Sequence, residues 1–196
     1  MGINLNYFIL EETPVLKREA IPPDVWEFLC IAVARLNLIH PRFAPAWISL
    51  KQAFPILMKK QWKEWWAISD LHRISLTCRL NSVIAHLFGL DLQDFSYILR
   101  DDPQNPKGFW RVDKTLQHDL RHPVLTLRAF SRLNEVGIRE FIKEDWEIPE
   151  PARDFYGSHT DEWNPKSGGT WEDCAQLSNK IRQDHFPTKH DDLKKI

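Results

Sequence analysis

The chain has 196 residues, 43% apolar and 27% charged, with a formal net charge of −1. That composition is typical of globular proteins and is enough for one or two domains with a hydrophobic core. No apolar run approaches the ~20 residues of a membrane-spanning helix, and residues 1–10 lack the basic-then-apolar texture of a secretory leader, so no membrane partner is expected. Cys30, Cys78 and Cys174 are widely spaced with no C-x-x-C pair, which predicts a reduced, cytoplasmic chain rather than a disulfide scaffold.

Residues 3–10 alternate apolar and polar positions before becoming continuously apolar, the pattern of a short strand, and Pro14 ends it. A lone strand leaves its edge unpaired, so its partners are expected outside this chain. Pro22-Pro23-Asp24 is a helix start, and residues 25–39 follow with Trp26, Leu29, Cys30, Val33 and Leu36 at helical spacing until Pro41 and Pro45 close the segment. A Pro-punctuated stretch to Pro55 leads into residues 56–66, rich in Lys and Trp. Residues 69–88 read as the clearest helix, with an apolar stripe of Leu71, Ile74, Cys78, Ile84 and Phe88 broken only at Asn81. Gly89 supplies a left-handed cap with Leu90 as its apolar contact, and Asp91 to Asp94 cap a second helix over 92–99. Residues 101–108 form a loop, 109–112 an extended piece, and 115–133 a helix broken at His122-Pro123. From Glu147 onward prolines and glycines punctuate the aromatics, with a short helix over 171–183 before a polar end. The expected fold is mainly α: a short N-terminal β-strand within 1–20, a helical domain over 21–145 and an irregular Pro/Gly/Trp-rich tail over 146–196.

Charge is unevenly spread. Between Arg35 and Arg79 eight basic residues face Glu64 and Asp70, about +6, whereas residues 140–162 carry about −6. A basic middle fits contact with phosphate on one side; its plainer reading is solvated helix faces. Nine tryptophans are several times the usual share. Three of them, Trp62, Trp65 and Trp66, fall on one helical face among Lys59, Lys60 and Lys63. The lysines are candidates for phosphate contact, while the tryptophans are expected to pack inward under the lysine stems.

Catalytic patterns are missing. There is no G-x-G-x-x-G or Walker loop, Gly168-Gly169 being the only glycine pair, no G-x-S-x-G elbow, and no Asn-Pro-Pro-aromatic tetrapeptide of the kind adenine methyltransferases use to hold a flipped base. His118 and His122, at i and i+4 with Asp113 as a third group, are weak metal candidates, set against a role capping the helix beside Pro123. Residues 140–145, with Glu140, Lys143, Glu144 and Asp145, loosely echo the acid-and-lysine set of metal-dependent nucleases, a pattern any acidic helix produces. No metal and no catalytic residue is assigned.

Residues 62–67, then 73–90 (Arg-Ile-Ser-Leu-Thr-Cys-Arg-Leu-Asn-Ser-Val-Ile-Ala-His-Leu-Phe-Gly-Leu), then Asp94-Phe95-Ser96-Tyr97-Ile98-Leu99, resemble a C-terminal region of restriction–modification adenine-N6 DNA methyltransferases, the type IIG-like phage-defence enzymes. Residues 108–114 and 120–127 fit one branch of that group, and residues 4–16 resemble the exit from its target-recognition domain. The chain departs from the pattern at Asn81, where Asp is expected, and at Phe88, where Tyr is commoner. The resemblance implies a non-catalytic C-terminal part or subunit: an exit strand in 1–20, a helical accessory domain in 21–145 and the tail. S-adenosylmethionine would be bound by the parent enzyme and not here. The implied partners are DNA, through Lys59, Lys60, Lys63, Arg73 and Arg79, and the methylase core, with Trp62, Trp66, Asn81 and Gly89 structural. The alternative is a free-standing helical protein-interaction module with no nucleic-acid role; a third reading is a small nuclease.

Overall fold

The computed structural model describes residues 15–99, 113 and 115–157. The strand expected over 3–10, the extended piece over 109–112 and the helix over 171–183 lie outside the described residues. Within them the protein is mainly helical, with seven α-helices and no strand: α1 (Pro23–Asn37), α2 (Ala44–Ala53), α3 (Asp70–Leu87), α4 (Leu92–Leu99), α5 (His122–Val136), α6 (Ile138–Lys143) and α7 (Ala152–Gly157). None of these helices is long and apolar enough to cross a membrane.

Local signals explain several helix ends. Pro23 occupies the first turn of α1, where its missing N–H has no intrahelical acceptor to lose. The Ser69 hydroxyl accepts from the His72 amide at 3.1 Å and starts α3. Gly89, at φ +70°, ends it: the Gly89 amide donates to His86 O at 2.9 Å and the Leu90 amide to Ala85 O at 3.1 Å, the paired bonds of a Schellman ending. One Asp91 carboxylate oxygen accepts from the Asp94 amide at 2.7 Å and opens α4.

Three expectations are corrected. Residues 44–53, read as a Pro-punctuated connection, form α2, because Pro41 and Pro45 each sit in the opening turn of a helix, where proline starts rather than stops it. Residues 56–66 do not form a regular helix. They make two 3-10 turns, Pro55–Lys59 and Trp62–Trp65, the second opened by a Glu64 carboxylate that accepts from the Gln61 amide at 2.9 Å. The helix expected over 115–133 begins only at His122: a 3-10 turn, His118–Leu120, precedes an extended Arg121, and Pro123 falls in the first turn of α5.

The two larger cores share α1 as a spine. The larger joins Val25 and Leu29 of α1, Cys78 and Val83 of α3, Leu125 and Leu133 of α5, and Phe141 of α6. Ile148 and Ala152 belong to this core, and Trp146 and Tyr156 pack against it, so residues 146–157 are part of the packed body rather than of an irregular tail. Ser75 Oγ donating to Trp146 O at 3.0 Å and Tyr156 OH donating to Leu120 O at 2.7 Å fasten that segment. The second core is built on Trp47, Leu57, Trp66 and Ile68, with Ala34 contributed by α1. An extended link, Trp66 to Ile68, runs past the end of α1, where the Ala67 amide donates to Arg35 O at 2.9 Å.

Candidate functional site

The lysine-and-tryptophan segment folds around its indoles. Trp66 is 5% exposed, Trp62 meets it edge-on at 5.2 Å between ring centroids, and Trp47 lies 6.5 Å from Trp62. The Trp47 indole N–H donates to Leu38 O at 2.8 Å and that of Trp65 to Leu57 O at 3.2 Å. Trp47 and Trp66 are core, and Trp62 and Trp65 pack against it partly buried. Lys59 and Lys60 are exposed at the corner, with Lys60 Nζ 5.3 Å from the centre of the Trp65 ring, while Lys63 is half-buried. Lys51 joins them by donating to Lys60 O at 3.1 Å.

The arginines face the other way. Arg79 is 7% exposed, with one terminal nitrogen donating to the carbonyls of Phe141, Ile142 and Glu144 at 3.5, 3.1 and 2.7 Å, while the other lies 3.7 Å from Asp145. A cation at the end of α6 satisfies carbonyls that have no partner within the helix. Its guanidinium also covers the Phe28 ring at 5.1 Å. Arg73 Nη1 donates to Leu36 O and Ala67 O, both at 3.0 Å, and so ties the start of α3 to the end of α1. Both arginines expected to face phosphate thus donate to backbone carbonyls, Arg79 from a buried position and Arg73 from a half-buried one through Nη1. Burial lowers the pKa of each, with Asp70 opposing the shift at Arg73 and Asp145 opposing it at Arg79.

His118 and His122 are separated by a change of backbone, from the 3-10 turn to the first residue of α5. His118 Nδ1 lies 3.5 Å from Asp119, whereas His122 is largely buried and its backbone amide donates to Asp113 Oδ2 at 2.6 Å. Asp113 thus works as a helix-capping acceptor beside Pro123. Desolvation pulls the His122 pKa below its ordinary value, with Asp113 opposing. Among the described residues no group of three His, Cys, Asp or Glu could hold a metal ion. The acidic run is held by cations: Lys143 pairs with Glu140 at 2.9 Å, and Arg132 with Glu144 at 3.1 Å. Cys78, wholly buried, has its thiol pushed up to about 12 by desolvation, which rules it out as a nucleophile at neutral pH.

A groove of about 540 Å³ lies between α3, α4 and α5, walled by Ile84 and Phe88, by Ile98, and by Pro123, with Asn81 and His122 as polar members. Its floor includes Phe95, which is held edge-on to Phe130 at 5.0 Å. Ile84, Phe88 and Ile98 remain 37%, 44% and 46% exposed, with Tyr97 of α4 67% exposed. Sequence periodicity places Ile84 and Phe88 in the buried stripe of α3. In the fold that helix is wedged among α1, α5, α6 and α7. Cys78 of the stripe is buried and Leu71 and Ile74 pack on the larger core, with Leu76, Ser82, Val83 and Ala85 buried beside them, whereas Ile84 and Phe88 open into the groove. Asn81, singled out as the break in the stripe, is a polar point in its wall.

No family model, curated protein or solved structure matches the chain.

Proposed function

We propose that this protein is a non-catalytic helical module that docks on a partner protein through the apolar groove between α3, α4 and α5. The sequence resemblance points to an adenine-N6 DNA methyltransferase core as that partner, with S-adenosylmethionine bound there. The observation that carries the reading is the groove itself: large apolar side chains of α3 and α4 stand open along one face, the character of an interface centre rather than of a solvated surface. The inward commitment of Arg73 and Arg79 favours protein docking over DNA binding as the main task. Lys59 and Lys60 remain a small exposed basic corner, which supports at most an auxiliary contact with phosphate.

Neighbouring reading frames supply the test. A product carrying an Asn-Pro-Pro-aromatic motif, coexpressed with this chain, should form a complex that survives size exclusion at raised salt. Failure of the two to associate, or the absence of any such neighbour, would overturn the methyltransferase reading. Steeply salt-dependent binding of the chain alone to duplex DNA would instead return DNA contact to first place.

A further inference from the structure

A second cleft, of about 430 Å³, runs along α1 and is chemically different from the first. Phe28 and Ile31 of α1 form one side, Ile56 and Ile142 contribute apolar surface, and Arg35 closes one end. The Arg35 Nε donates to Trp65 O at 2.9 Å, while its two terminal amino groups meet no acceptor among the described residues. Asp145, fully exposed, lies 3.7 Å from Arg79 and also acts on Arg35 through space, without a hydrogen bond to it. Arg35 is half-buried and desolvation lowers its pKa, yet its terminal amino groups keep access to solvent and so remain available to an incoming acceptor. A planar fork of this kind fits a carboxylate, which can take two parallel N–H bonds.

The lining carries Asp24 and Glu27 against Arg35 and Lys143, with Asp24 near Arg139 at 3.8 Å and Lys143 paired to Glu140 at 2.9 Å. Its charge therefore balances, and Arg35 is the cation left to take a single carboxylate rather than a polyanion. The apolar walls require that carboxylate to sit on an apolar body. We propose that the α1 cleft receives an acidic side chain of the partner protein, paired with Arg35, while an adjoining apolar residue of the partner packs on Phe28 and Ile142. This rests on the protein-docking reading but not on the partner being a methyltransferase. Arg35 enters the sequence-level picture only as one charge of the basic middle, because nothing local shows that its donors end in an apolar cleft.

Two peptides acetylated and amidated at their ends, Leu-Glu-Leu and its Leu-Gln-Leu isostere, test the site on the full chain by NMR. The Glu peptide should move the Arg35 side-chain Nε–H resonance and bind in the millimolar range, with the Gln peptide about tenfold weaker. Arg35→Gln should remove the preference, and Glu27→Gln should keep it. Equal binding of the two peptides to the unaltered protein overturns the proposal and needs no variant to fold. So does a response confined to the α3, α4 and α5 groove, or a short DNA duplex that moves the Arg35 resonance more strongly. If the methyltransferase complex fails while the Glu peptide binds, only the partner's identity falls; if the complex forms and the peptides bind alike, only this site falls.

Discussion

A guanidinium has five N–H donors and no acceptor, and Arg79 spends one terminal nitrogen on three carbonyls at the end of α6. Replacing it with methionine keeps much of the apolar stem over Phe28 but leaves those carbonyls short of a donor. Arg79→Met should therefore lower unfolding stability by about 3 kcal/mol, read from urea denaturation. Arg79→Lys should recover less than half of that, since an ammonium cannot reproduce the fork. A loss below about 0.5 kcal/mol, the range of ordinary surface changes, would contradict the buried-staple assignment. His122 gives a pH signature. Burial holds its folded pKa below the ordinary 6.5, so the folded state favours the neutral ring. That stability is fully present above the unfolded pKa and is lost as pH falls from there through the folded pKa. Wild-type stability should drop as pH falls below the ordinary 6.5 more steeply than that of His122→Gln; parallel curves would remove the histidine from the account.

At the scale of elements, the α3–Gly89–α4 hairpin is the part most legible in the sequence, because its signals are local: a serine before the helix, a glycine after it, an aspartate opening the next. Gly89→Ala should cost about 1 kcal/mol by forcing a Cβ into φ +70°, even though open space surrounds the position. Ser69→Ala should cost about the same through loss of the cap. Thermal or chemical denaturation measures both, and a neutral Gly89→Ala would mean the turn relaxes freely. Legibility fails where meaning depends on register. Pro45 can end one helix or begin another, and only the placement of Trp47 under the second core settles it as the start of α2. The spacing of Trp62, Trp65 and Trp66 fits a helical face, yet the chain turns there in 3-10 geometry because the three rings must reach a core beneath them.

For the whole molecule, the informative event is the sorting of charge and apolar surface between inside and outside. Composition reveals a basic middle but not that Arg73 and Arg79 turn inward, since that depends on carbonyls of α1 and α6 distant in the chain. Periodicity likewise marks Ile84 and Phe88 as apolar without revealing that α3 is enclosed on its other sides. The resulting surface pairs an open apolar groove with a lysine corner, and the two make opposite demands on mutants. Aspartates at Ile84 and Ile98, both exposed, should leave the fold intact while weakening the partner complex at least tenfold, as charges in an interface centre do. Glutamates at Lys59 and Lys60 should change it by less than about threefold. The direct measurement is the dissociation constant of the complex with the methyltransferase-type partner for these two double variants, with melting temperatures recorded alongside. Loss confined to the Ile84/Ile98 pair is the predicted result; an unaffected groove variant with a disabled lysine variant would contradict the docking account.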